Sequence, residues 1–302
     1  MTNFTRSLSI ILASIIIVKL FSGAVKDKKL EEEHKINFIN NYNIYSIILP
    51  KNISFASEKV PLNSMEIYQR LDREFLVNTY WQSQGILLIK KSNKYFPIIE
   101  PILKRNNIPD DLKYLAVAES GLSNVISPSG AHGFWQILKE TGLEYGLEIN
   151  SSIDERYHLE KATQAACDYL NNAYEKFGNW TLAAAAYNMG INGVKNQLEK
   201  QQVNNYYDLY LNEETSRYVF RIIALKDIMS NPKNFGFNIR DIDLYQSPKT
   251  TEIKINYPIN NLANFAKKHN TNYKTIKILN PWLTSNSLPN KSSKTYIIKL
   301  SS

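Results

Sequence analysis

The apolar positions of this 302-residue chain fall into blocks with different periods. From Pro61 to about Ser230 they recur at three- and four-residue intervals, the signature of helices with one buried face. "NSMEIYQRLDREFLVNTYW" sets Ile67, Leu71, Phe75 and Leu76 on one side, behind an N-cap at Asn63 or Ser64. "KYFPIIEPILKRNN" does the same with Tyr95, Ile98, Ile99, Ile102 and Leu103. Pro109-Asp110-Asp111 then opens a helix in which Leu112, Leu115, Ala116 and Glu119 stand at i, i+3, i+4 and i+7. Residues 155–177 read as a helix between Asp154 and Gly178, "WTLAAAAYNMG" as a short one closed by Gly190, and a last helix runs from Asn212 to Pro232. The pattern predicts a compact all-α domain over residues 61–231. Beyond it, "TEIKINY" and "KTYIIKL" alternate in strand fashion around the short helical runs "NNLANFAKKHN" and "NYKTIKILN". Residues 251–302 are therefore expected to form a βααβ module of their own, with 232–250 as a linker. Residues 25–60 show no clear period and predict a poorly ordered lead-in.

Composition narrows this little. Hydrophobic residues make up 43% and charged ones 21%, ordinary for a globular chain. A net charge of +8 admits nucleic acid, an anionic membrane or an anionic polymer such as cell wall. With no sustained basic stripe and no nucleic-acid motif, no nucleic-acid partner is expected. At the N-terminus, Arg6 precedes the apolar run "LSIILASIIIV", followed by Lys19 and a Ser22-x-Ala24 pair, which reads as an export signal. The run is shorter than the roughly 18 to 20 apolar residues that span a bilayer. Residues 1–24 are thus a signal peptide or an N-terminal anchor through which a membrane would be engaged, and the protein is expected in the cell envelope, periplasmic or membrane-associated. The single cysteine, Cys167, allows no internal disulfide and reads as core. None of His34, His132, His158 and His269 pairs with another ligand at metal-site spacing, so neither metal nor cofactor is expected. His132 is placed at the edge of the site and His158 on a helix surface.

The chemistry centres on Glu119. Its spacing carries a carboxylate onto the face that Leu112, Leu115 and Ala116 bury, and the helix then breaks into Gly121, Pro128, Gly130 and Gly133. A lone glutamate at a helix end is ordinarily solvated or salt-bridged. A carboxylic acid held among apolar side chains instead keeps its proton near neutral pH, as a general acid must.

Together, "AESGLSNVISPSGAHGFWQI", "AAAAYNMG" and "EETSRYV" resemble the lytic transglycosylases of the goose-type lysozyme fold, the membrane-bound D type in particular, over roughly residues 61–230. The family's Glu-Ser pair corresponds to Glu119-Ser120, its glutamine segment to "GFWQI", with Phe134 for the usual leucine, and its tyrosine motif to "AYNMG". The resemblance implies a mainly α protein with a lysozyme-like catalytic domain acting on peptidoglycan glycan strands. The bond cleaved would be the β-1,4 link between N-acetylmuramic acid and N-acetylglucosamine. Glu119 would be the single acid and base, and attack by the muramic C6 hydroxyl would leave a 1,6-anhydro end. Ser127, Gln136, Tyr187, Asn188 and Tyr218 would be substrate-binding, with Tyr187 orienting Glu119 or the N-acetyl group, while Trp135 reads as core. Residues 251–302 resemble a LysM repeat in "LANFAKKHN" and "IKILNPWL", although "NYPINNL" replaces the usual "GDTL" turn. Glycan binding and a structural cap are both open for this module. The alternatives are a hydrolysing muramidase on the same fold and a non-catalytic peptidoglycan-binding protein. Nothing in the sequence indicates an oligomeric state.

Overall fold

The computed structural model describes residues 28–38, 40 and 45–301, so the expected export signal at 1–24 lies outside the described residues. The chain divides into two compact units, Met1–Ser46 and Ile47–Ser302. In the first, residues 28–38 are helical (α1). The second contains a helical domain and the C-terminal module. Among the described residues no helix is long and apolar enough to cross a membrane.

The helical domain comprises α2 (Met65–Tyr80), α3 (Gln82–Arg105), α4 (Lys113–Ser120), α5 (Lys139–Glu144), α6 (Leu159–Phe177), α7 (Trp180–Met189), α8 (Ile191–Gln201) and α9 (Glu213–Ser230). Helix α9 runs through its centre, with α2, α4 and α7 packed around it. Ten of its side chains are buried, among them Val219, Phe220, Ile222 and Ile223, and Asn212 caps it by accepting from Thr215 N at 2.9 Å. Glu74 of α2, itself buried, accepts from Arg217 Nε at 2.8 Å and fixes α9 against α2. On α2 the expected Ile67, Leu71 and Phe75 are buried, whereas Leu76, one step round the helix from Phe75, faces solvent. Helix α6 begins at Leu159 rather than Glu155, because Asp154 caps a separate 3-10 turn over Glu155–Tyr157. Two helices carry too little signal to be foreseen. Helix α5 is six residues long, and α8 buries only Val194.

Two expectations about the domain's edges are corrected. Residues 47–60 are not a loose lead-in: Leu49, Ile53, Phe55 and Val60 lie in the helical core. Strands β1 (Ser54–Phe55) and β2 (Glu58–Lys59) pair antiparallel and aim Glu58 at the start of α7. There its carboxylate accepts from Trp180 N at 2.5 Å and Thr181 N at 2.9 Å, satisfying two donors that a helix end leaves free. Residues 232–250 are not a free linker either. Phe235 and Phe237 join the same core, and Tyr245 N and Ser247 Oγ donate to Lys90 O and Lys94 O along α3.

The C-terminal module has the expected βααβ order: β3 (Thr250–Ile255), α10 (Leu262–Lys268), α11 (Tyr273–Leu279) and β4 (Tyr296–Ser301). Its strands pair antiparallel from Thr250↔Ser301 to Ile255↔Tyr296, over a core of Leu262, Ile276, Leu283, Leu288 and Ile298. That core also contains Ile153 of the helical domain, 1% exposed, so the module is docked rather than independent.

Because Phe55 is fully buried, Phe55→Ala should lower unfolding stability by about 3 to 5 kcal/mol in a denaturant titration. An unchanged midpoint would return residues 47–60 to a loose lead-in.

Candidate active site

Glu119 sits in the last turn of α4, which ends where Gly121 turns left-handed at φ 58°. Free carbonyls at a helix C-terminus disfavour a nearby negative charge. Leu115 and Ala116 are fully buried, and Glu119 is half-buried on the same helix face. Burial raises the carboxyl above the ordinary glutamate range; the hydrogen bond from Tyr218 and the positive charge of Arg221 oppose the shift, and Glu214 adds to it. Tyr218, 1% exposed, donates from its hydroxyl to Glu119 Oε1 at 2.5 Å. The Arg221 guanidinium lies 5.7 Å from the centre of the Tyr218 ring. Glu214, Tyr218 and Arg221 are spaced i, i+4 and i+7 on α9, so one helix face brings all three to Glu119. The spacing is visible in the sequence, yet both were missed: Glu214 lies inside "EETSRYV" without being given a role, and Arg221 falls outside every motif.

The loop that follows α4 closes on itself. Gly133 N donates to Val125 O, Ser127 N to Ala131 O, and His132 and Ile137 exchange both backbone bonds. Ser127 Oγ accepts from Ala131 N at 3.0 Å. Gln136 adopts φ 47°, a left-handed conformation that costs a non-glycine residue about 1 to 2 kcal/mol. Its side chain offsets this by donating to Gly133 O at 2.7 Å and Val125 O at 3.1 Å. Strain of this kind is tolerated where surrounding contacts fix it, often at functional sites. The loop is tied to α4 by Ser120 Oγ, which donates to Phe134 O at 2.8 Å.

Tyr187 donates its hydroxyl to Trp135 O at 2.8 Å, so the hydroxyl that bonds Glu119 is that of Tyr218, and Tyr187 holds the loop. Trp135 is fully buried, its Nε1 donating to Thr163 Oγ1 at 2.8 Å. Asn188 accepts from Thr215 Oγ1 at 2.8 Å and joins the end of α7 to the start of α9. Glu119 and Tyr218 are thus in direct contact, Ser127 and Gln136 share the loop, Tyr187 supports that loop from α7, and Asn188 bonds α9 instead. His132 Nδ1 lies 3.2 Å from Asp154 Oδ2 behind that loop. His158 is not a free surface residue, since it stacks on Trp282 of the C-terminal module at 5.7 Å. Cys167 is buried, which pushes its thiol up to about 12. Among the described residues no group of three or more His, Cys, Asp or Glu could hold a metal ion.

Comparison with known proteins adds the following. Residues 96–209 match the transglycosylase SLT domain, and residues 251–302 match the soluble lytic transglycosylase C-terminal LysM-like domain. The first match spans Glu119, Ser127, Gln136, Tyr187 and Asn188 and ends before Tyr218. The membrane-bound lytic murein transglycosylase D of Escherichia coli K12 is 29% identical over 175 residues. That alignment covers 56% of this chain and only 38% of the relative. Among solved structures, the 70 kDa soluble lytic transglycosylase of Escherichia coli aligns with a TM-score of 0.40 at 19% identity, covering 60% of this chain and 31% of that one.

The raised proton affinity of Glu119 has a stability consequence. A carboxyl whose affinity is higher in the folded chain contributes stability in full below its unfolded pKa, near 4.5, and loses it as pH rises through the folded value. Glu119→Gln, which has no charge to desolvate, should match wild type in melting temperature near about pH 4 and exceed it near about pH 8. Each kcal/mol relieved should read as about 2 to 4 °C. A gap that is absent or reversed at the higher pH would show the carboxylate to be fully compensated by Tyr218 and Arg221.

Proposed function

We propose, for a chain that carries a transglycosylase SLT domain, that it is a lytic transglycosylase of peptidoglycan with Glu119 as its acid and base. The observation that carries the reading is a half-buried carboxyl group at the end of α4, raised in proton affinity by burial and holding one hydrogen bond from Tyr218. The bond broken is the β-1,4 link between N-acetylmuramic acid and N-acetylglucosamine. Tyr218 occupies Oε1, which leaves Oε2 to carry the proton. Glu119 passes that proton to the glycosidic oxygen as the C1–O bond breaks, because an unprotonated sugar oxygen is a poor leaving group. The substrate's own N-acetyl oxygen supports the charge at C1, so no second carboxylate is required. The Glu119 carboxylate then takes the proton from the C6 hydroxyl, O6 bonds to C1, and a 1,6-anhydromuramic end results. The acid is regenerated and no water is consumed.

Ser127, Gln136, Tyr187 and Asn188 are read as the substrate side of the site, the first two through the loop that carries them. The relative from Escherichia coli is named membrane-bound, which supports a place for this chain in the cell envelope, reached through its N-terminal segment.

Mass spectrometry of digested sacculi tests the reading directly. Anhydro ends support it, reducing ends would make the protein a hydrolysing muramidase, and no released fragments would leave a binding protein. Glu119→Gln should lower turnover by about 10²- to 10⁴-fold with the fold intact. Tyr218→Phe removes a hydrogen bond to a charged partner worth roughly 1.5 to 3 kcal/mol, so the rate should fall by about ten- to a hundred-fold. A Tyr218→Phe enzyme as fast as wild type would remove that hydroxyl from the chemistry.

A further inference from the structure

We propose that the C-terminal module is a positioning element of the site: docked on residues 148–160, it fixes Asp154 and Arg156, and these hold the 125–137 loop against the Glu119 helix. The catalytic consequence rests on the functional reading above; the mechanical one does not.

The docking surface is built from several kinds of contact. Asp154 N donates to Trp282 O at 2.9 Å and Thr284 N to Ser152 O at 3.0 Å, an antiparallel bridge that centres on Ile153 and Leu283. The Ile153 side chain is buried in the module's own core. Tyr296 donates its hydroxyl to Glu148, and Lys294 pairs with the same carboxylate at 2.6 Å. Lys299 pairs with Glu160, which also receives His158 at 3.2 Å. Burial opposes it, but these two partners hold Glu160 down to about 2, so the pair is charged across the neutral range.

The other side of the same segment supports the loop. The Asp154 carboxylate accepts from Arg156 Nε at 2.9 Å and Nη2 at 2.7 Å. Arg156 Nη1 donates onward to Gly130 O at 3.2 Å and Ile137 O at 3.3 Å, the two ends of the loop's narrow part. The contact is close enough to exclude a side chain: a Cβ on Gly133 would lie 2.1 Å from Arg156 O. The loop's own bonds close its narrow part, and Arg156 beneath it reaches the carbonyls at both ends of that part. Asp154 is therefore bonded by its backbone to the module and by its carboxylate to the residue that carries the loop. Asp154 and Arg156 are positioning residues, and displacement of the order of 1 Å at a site can cost about a hundred-fold in rate.

Two full-chain variants test this. Ile153→Lys puts a charge where the module docks, and Asp154→Asn removes the charge that holds Arg156 while leaving the backbone bond to Trp282. Hydrogen exchange should speed up by at least about tenfold at His132, Gly133 and Ile137 in both, with α6 amides close to wild type. A loop unchanged in both variants, or exchange accelerated equally throughout the domain, overturns the proposal. On soluble glycan fragments, which need no wall retention, kcat/KM should fall about tenfold in each, and the double variant should fall no further than the worse single one. Multiplying losses, or full activity with a loosened loop, would overturn the catalytic part. If the wild-type chain cleaves no glycan, the functional reading fails, while the exchange measurement still decides whether the module braces the loop.

Discussion

Holding a carboxyl group partly out of water at the C-terminal end of a helix is unfavourable twice over, since both burial and the free carbonyls resist its charge. Glu119 is in that position, and the surroundings read as the means of keeping it there. Leu115 and Ala116 bury its helix, Tyr218 satisfies one oxygen, and Arg221 supplies a positive charge that limits the shift. Glu214 acts in the opposite sense. The balance leaves a group that takes up a proton more readily than an ordinary glutamate. That direction is what the acid role proposed for it asks.

The balance depends on α9 more than on α4. Tyr218 and Arg221 act on Glu119 only if α9 has the right rotation and depth, and several contacts set these. Glu74 holds Arg217, Asn212 caps the first turn, and Asn188 of α7 bonds Thr215. A buried carboxylate such as Glu74 is an expensive anchor without a partner, so its pairing specifies one arrangement of α2 and α9. The apolar face of α9 alone would tolerate small rotations. The opposite wall is fixed differently, by Ser120 and Tyr187 bonding the carbonyls of Phe134 and Trp135.

What the sequence made legible follows the strength of local signals. Helices with a long apolar face (α2, α6, α9) and the βααβ order could be read from period alone. The place of Glu119 on the short α4 fits an ordinary helix-end glutamate, and only the motif resemblance made it the candidate acid. Helices α5 and α8 could not, because six residues in one and a single buried valine in the other make no period. Residues 47–60 and 232–250 looked like connections because their buried side chains, such as Phe55 and Phe237, are set by tertiary contacts without any repeat. Among the site residues, motif resemblance gave the orienting role to Tyr187 and only a place in the site to Tyr218, whereas the hydroxyl that bonds Glu119 is that of Tyr218. That depends on how α7 and α9 meet α4, a distance no spacing along the chain encodes.

The basic balance of the chain also looks different once the contacts are known. A net charge of +8 suggested an anionic partner, and the C-terminal module supplies many of the lysines. Yet Lys294 and Lys299 are paired with Glu148 and Glu160 of the helical domain, and Lys277 bonds Leu283 O and Ser285 O within the module. These three charges are used to dock and to fold. A module on a free tether would act by raising local concentration at the wall. A module whose core contains Ile153 and whose backbone bonds Asp154 is constrained to one orientation, and motion at either end is felt at the other. The same residues can serve both ends, but only the docked arrangement makes the geometry around Glu119 depend on them.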